Sequence, residues 1–155
     1  HVRRTDRLRL SVVPNITYFG NAMAHLRARH SARGVCFVIE SDDVNWCHQQ
    51  GVFRAVDVHI DNETRPAVSL AALGRCRDHI LSVGTFGWWG AWLGRAKRDS
   101  ATVYFAQEDI GQHARQPLRA WAKRQYGQAG TAAPALLPRG VLQDYFPPEW
   151  VPLDN

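Results

Sequence analysis

At 155 residues the chain is long enough for one domain with a sizeable core, and its 45% hydrophobic and 21% charged content excludes a disordered class. No apolar run is long enough to cross a bilayer and no signal peptide is visible. The net charge of +5 suits an anionic partner, yet no nucleic-acid motif accompanies the basic residues. A small anion patch or a solvated basic surface remains.

The chain opens on His1, not Met, and so reads as a piece of a longer protein, with any membrane anchor in the part not included. His1-Val-Arg-Arg-Thr-Asp6 is its densest chemistry. At the end of a strand, alternation sends Arg3 and Arg4 to opposite sides. One guanidinium can then grip a phosphate bidentately while the other pairs with an acid such as Asp6. A solvated basic tail accounts for the same composition.

Residues 7–14 read as a loop. Residues 15–29 read as a helix, with Tyr18, Ala22 and Leu26 at i, i+4 and i+8. Gly34 suits a left-handed cap. The apolar run 35–39 predicts a strand covered on both faces, with Cys36 as a small core residue. At its carboxyl end, Ser41 or Asp42 is a natural N-cap for a short helix over 44–50. One acid of the Asp42–Asp43 pair is left for contact with a nucleotide.

Alternation over 52–60 predicts a second strand, and 68–77 a helix with Pro66 near its start. Residues 78–83 form a third strand. The turn Gly84-Thr-Phe-Gly87 leads into a helix over 88–98, and 101–106 forms a fourth strand. A strand, a Gly/Thr turn and a helix start present free N–H groups to an anion, although a buried corner that binds nothing has the same pattern. Residues 117–126 read as a basic helix, 127–138 as a loop, and Asp144-Tyr-Phe-Pro-Pro-Glu-Trp150 as a packing strap.

Cys36, Cys47 and Cys76 lack metal spacing; Cys47 and Cys76 are a possible pair that sequence alone does not decide. Asn15-Ile-Thr17 and Asn62-Glu-Thr64 are sequons compatible with a secretory-pathway protein. Strands alternating with helices argue for one α/β domain, a parallel sheet with helices on both faces. Ligands of such sheets bind at the carboxyl ends of the strands. Residues 3–6, 41–43 and 84–87 are therefore expected to converge on one crevice.

Three motifs resemble the galactoside alpha-1,2-fucosyltransferases, family 11 of the glycosyltransferases. They are His1-Val-Arg-Arg-Thr-Asp6, Phe37-Val-Ile-Glu-Ser-Asp-Asp-Val-Asn-Trp-Cys47, and the run from Cys76 to Leu93 containing Gly84-Thr-Phe-Gly87. The resemblance implies the Rossmann-like, donor-binding C-terminal half of a two-domain GT-B enzyme. It implies inverting transfer of fucose from GDP-fucose to the 2-hydroxyl of a terminal β-galactoside, without a metal or other cofactor. It further implies a type II Golgi membrane protein with a luminal catalytic domain, its anchor outside this chain, and no nucleic-acid partner.

Carried over by position, Arg3 holds the β-phosphate, His1 lies near the guanosine, and Arg4 and Asp6 shape the loop. Asp6 is also geometrically possible as a catalytic base, with a structural role beside Arg4 as the reading to prefer. Thr85, Phe86 and Gly87 bring the helix start against the diphosphate, and Asp42 and Asp43 form an acidic pair near the donor. The family usually places an acid for guanine sixteen residues before the motif threonine, where this chain has Ser69. A neutral hydroxyl makes a weaker bond than a carboxylate. A sugar-nucleotide-binding domain without catalysis is the alternative reading.

Overall fold

The computed structural model describes residues 1–9, 13–96, 99–105 and 146–153. Strands β1 (Phe37–Ile39), β2 (Val58–Ile60), β3 (His79–Leu81), β4 (Thr102–Phe105) and β5 (Val151–Leu153) accompany helices α1 (Ile16–Arg29), α2 (Val44–Gln49), α3 (Pro66–Arg75) and α4 (Thr85–Gly94). All ladders between them are parallel: β1 pairs with β2, and β4 lies between β3 and β5.

β1 and β3 are joined through residues 1–3. The Val2 N–H donates to the Glu40 carbonyl at 2.8 Å, and Val2 bridges Ser41 in parallel. On the other side, the His1 nitrogen donates to the Ile80 carbonyl at 2.8 Å and the Ser82 N–H to the His1 carbonyl at 3.3 Å. The Arg3 N–H adds a bond to Ser82 Oγ at 2.8 Å. The order is thus β2, β1, residues 1–3, β3, β4, β5, an α/β Rossmann-like arrangement. Below Val2 the gap continues as a cavity of about 420 Å³ between β1 and β3.

Successive strand residues face opposite layers. Ile80, Val103 and Phe105 enter the cluster built on α1, with Tyr18, Phe19, Met23 and Leu26. Leu81 and Tyr104 enter a second cluster with Ala91 of α4, Phe146 and Trp150. The expected α1 stripe is buried, and Asn15 caps the helix by accepting from the N–H groups of Thr17 and Tyr18 at 2.8 and 3.2 Å. The Tyr18 hydroxyl donates to the Leu81 carbonyl at 2.6 Å, tying α1 to β3. Gly34 takes the left-handed conformation, φ 73°.

Several sequence expectations are corrected. Only Val58–Ile60 of 52–60 is strand. Gly51–Arg54 is a 3-10 turn that carries Phe53 into an aromatic cluster, its ring centroid 5.7 Å from Phe19 and 6.2 Å from Trp46. The coverage of β1 is one-sided, since Val38 is 39% exposed. Cys36 is exposed instead of buried, and Cys47 is buried without a disulfide to Cys76, whose thiol meets the Ala72 carbonyl.

The third helix begins at Pro66 and the fourth at Thr85, each earlier than expected, and α4 ends before its basic residues. Of its tryptophans, Trp89 is 50% exposed, while Trp88 stacks on Trp92 and meets Trp150. The terminal strap does pack, through buried Trp150 and a Phe146 ring stacked 4.0 Å from Tyr104. The residues after it form β5, at the edge of the sheet among the described residues, where Pro152 is tolerated. The expected helix over 117–126, the loop over 127–138 and residues 144–145 lie outside the described residues.

Candidate functional site

A cleft of about 680 Å³ opens at the carboxyl ends of β1 and β2, with His1, Arg3, Glu40, Asp42, Ser69 and Phe86 among its walls. The expected convergence occurs: the His1–Asp6 segment, the acids after β1 and the start of α4 border one region.

Asp42 organises the first segment. Its carboxylate accepts from the N–H groups of Arg4 at 2.8 Å and Thr5 at 3.2 Å and from the Thr5 hydroxyl at 2.5 Å. The Arg3 guanidinium lies 3.3 Å from Asp42 and 3.0 Å from Asp6. That Arg3 bond holds the Asp6 carboxyl below its usual range. Arg3 remains about one-third exposed at the cleft wall.

Arg4 goes elsewhere. Its guanidinium stacks 3.8 Å from the Trp46 ring centre, with Nε 3.5 Å from Asp43. The partner of Asp6 is therefore Arg3, whereas the resemblance, with Arg3 on the phosphate, placed Asp6 beside Arg4. Asp43, in place of Ser41 or Asp42, caps α2 by accepting from the Trp46 N–H at 3.1 Å. Ser41 Oγ donates to the Val2 carbonyl and accepts from the Asp43 N–H, both at 2.9 Å.

The start of α4 carries no side-chain cap, and Gly84 before it has φ 88°. Its first-turn N–H groups remain available to an anion. Arg7 lies over this turn: a β-carbon at Gly84 would sit 3.6 Å from Arg7 Nη2, and Arg7 Nε is buried without a hydrogen-bond partner. Thr85 is exposed at the helix start, and Phe86 faces His1 with ring centroids 5.2 Å apart. Gly87 is buried under the His1 ring, so it permits close approach and is not itself open to a ligand.

Deeper in the cleft, Glu40 is 3% and Ser69 8% exposed. Burial pushes the Glu40 carboxyl up; the Ser69 hydroxyl beside it opposes the shift and the neighbouring Asp61 adds to it. Glu40 Oε1 has no hydrogen-bond partner. Among the described residues, no three His, Cys, Asp or Glu side chains gather in a metal-binding group.

Arg7 belongs to no motif read from the sequence, and Glu40, inside the second motif, was assigned no role there. Arg7 is brought back by a 3-10 turn, with the Leu8 N–H donating to the Arg4 carbonyl at 2.9 Å. Glu40 did carry a signal: an acid at the carboxyl end of an apolar strand, where ligands of such sheets bind.

Comparison with known proteins agrees with this geometry. The model of glycosyl transferase family 11 matches residues 1–124. The chain is 36% identical over 115 residues to galactoside alpha-(1,2)-fucosyltransferase 1 of Saimiri sciureus, Leontopithecus chrysomelas and Mico humeralifer. Each alignment covers 68% of this chain and 30% of the relative, so the chain spans about a third of their length. No solved structure matches it significantly. No helix among the described residues is long and apolar enough to cross a membrane. With the family model covering most of its length and the motif residues assembled around one cleft, the chain belongs to glycosyl transferase family 11.

Proposed function

We propose that this chain carries the donor site of a galactoside alpha-1,2-fucosyltransferase and binds GDP-fucose in the cleft. The observation that carries the reading is the meeting of Arg3 and the first turn of α4 at the cleft wall, with Arg7 lying over the uncapped turn before it. Guanidinium groups and free N–H groups at a helix start are the donors a diphosphate accepts from.

In the transfer, the bond between the fucose anomeric carbon and the β-phosphate oxygen breaks, and its electrons leave with GDP. The galactoside 2-oxygen bonds to that carbon from the opposite face, which inverts it, and its proton passes to a base or to water. Arg3, Arg7 and the α4 N–H groups stabilise the charge growing on the diphosphate, so turnover is expected without an added divalent ion. Asp6 is a weak candidate for the base, because its bond to Arg3 favours the unprotonated form.

The acceptor site belongs, on this reading, to the rest of a two-domain GT-B protein anchored in the Golgi membrane and facing the lumen. The test is an assay of the full-length protein with GDP-fucose and a panel of galactosides, with linkage read by NMR. Formation of an α-1,2 product is expected. GDP binding without transfer to any galactoside would instead make this a binding domain.

A further inference from the structure

We infer that Glu40 is the base-reading acid of the cleft, accepting from the N1–H and 2-amino edge of guanine where α3 presents only the Ser69 hydroxyl. The inference rests on the reading of the cleft as a GDP-sugar site and deepens it by naming the residue that selects the base.

The other acids nearby are occupied. Asp42 receives two N–H groups and a hydroxyl and faces Arg3. Asp43 caps α2 and faces Arg4. Glu63 receives the N–H groups of Thr64 and Arg65 and pairs with the Arg65 guanidinium at 2.6 Å. Asp61 accepts from the Glu63 N–H at 3.0 Å and meets the Glu40 carboxyl.

Glu40 differs from all of them. It is 3% exposed, forms no ion pair among the described residues, and, although its carboxyl meets the Ser69 hydroxyl and the Asp61 carboxyl, leaves Oε1 without a hydrogen-bond partner. A carboxylate in that setting is costly to the fold unless donors reach it. It lines the cleft beside Ser69, so a ligand seated there can bring those donors.

The shape of the acceptor selects the ligand. A carboxylate offers two parallel acceptor oxygens. Guanine presents N1–H and the 2-amino group side by side and matches both. Adenine turns an unprotonated N1 towards the same oxygens and is repelled.

Electrostatics also accounts for Ser69. Glu40 already adjoins the Asp61 carboxyl, which raises its pKa. A third acid from α3 would add to that repulsion, and the position on α3 carries the neutral Ser69 hydroxyl.

The test is calorimetry on the full-length protein with GDP, IDP (which lacks the 2-amino group) and ADP. Affinity should fall from GDP to IDP to ADP. Glu40→Gln keeps the shape but loses the charge. It should weaken GDP by about 10–100-fold, the scale of a hydrogen bond to a charged group, and strengthen ADP, whose N1 then faces an amide N–H instead of a carboxylate; retained ADP binding also reports an intact fold. Adding Ser69→Asp to Glu40→Gln should restore much of the GDP preference by returning an acid from α3. An unchanged GDP-to-ADP ratio in Glu40→Gln overturns the inference while leaving the GDP-sugar reading in place. No binding of any of the three by the unmodified protein overturns both.

Discussion

Gly87 and His1 are packed so closely that a β-carbon at position 87 would lie 2.8 Å from the His1 Nδ1 atom. The ring has little room to yield, because the His1 backbone is held between the Ile80 carbonyl and the Ser82 N–H. This one contact sets the start of α4 against the segment that carries Arg3.

Gly87→Ala should therefore push α4 away from residues 1–3. Overpacking of this kind costs about 1–3 kcal/mol, readable by urea denaturation. GDP affinity should fall with it. Unaltered stability together with unaltered affinity would show that the contact does not set the cleft.

The two arginines at the mouth should separate in their effects. Arg3→Ala is expected to abolish fucose transfer by the full-length protein. Arg7→Ala should lower kcat/KM by about 100-fold, the scale of losing one preorganised donor to a developing anion. Guanosine, which has no phosphate, should bind Arg7→Ala and the unmodified protein equally. Undiminished transfer by Arg3→Ala would remove it from the diphosphate site.

Asp42 holds the first segment through the N–H groups of Arg4 and Thr5. Asp42→Ala should cost about 1–3 kcal/mol through those groups losing their acceptor, and should weaken GDP binding as Arg3 loses its position. The bidentate Arg27–Asp57 pair, at 2.7 and 2.8 Å, provides a control remote from the cleft. Asp57→Ala should leave GDP affinity as it was.

Glu40 gives the fold a pH dependence of definite sign. Burial raises its carboxyl above the ordinary 4.5. Between that value and the folded one, the native state keeps a proton that the unfolded chain has released. Stability therefore falls as pH rises through this window. Glu40→Gln has no such proton and should be the more stable protein at neutral pH, with the difference shrinking towards about pH 4. Thermal melts across that range measure it; parallel curves would contradict the assignment.

The local pattern of the chain settled much of this on its own. The stripe Tyr18, Ala22 and Leu26 specifies α1, and Asn15 caps it, because both depend on neighbours within one or two turns. The spacing of the motifs also placed the three strand ends that meet at the cleft, since parallel strands bring their carboxyl ends to one side.

Long-range pairing decided the rest. Residues 52–54 precede the alternating run 55–60 and read as part of its strand, but Phe53 lies in a 3-10 turn and packs against Phe19 and Trp46. The partner of Asp6 follows from Asp42, which turns the backbone at Arg4 and Thr5 and sends Arg3, not Arg4, to the acid. Ser69 and Glu40 lie twenty-nine positions apart in the sequence, and only the packing of α3 beside the end of β1 puts hydroxyl and carboxylate side by side. A motif records which side chains are present; desolvation and competition for partners, which are set by the folded neighbours, determine which remain available to a ligand.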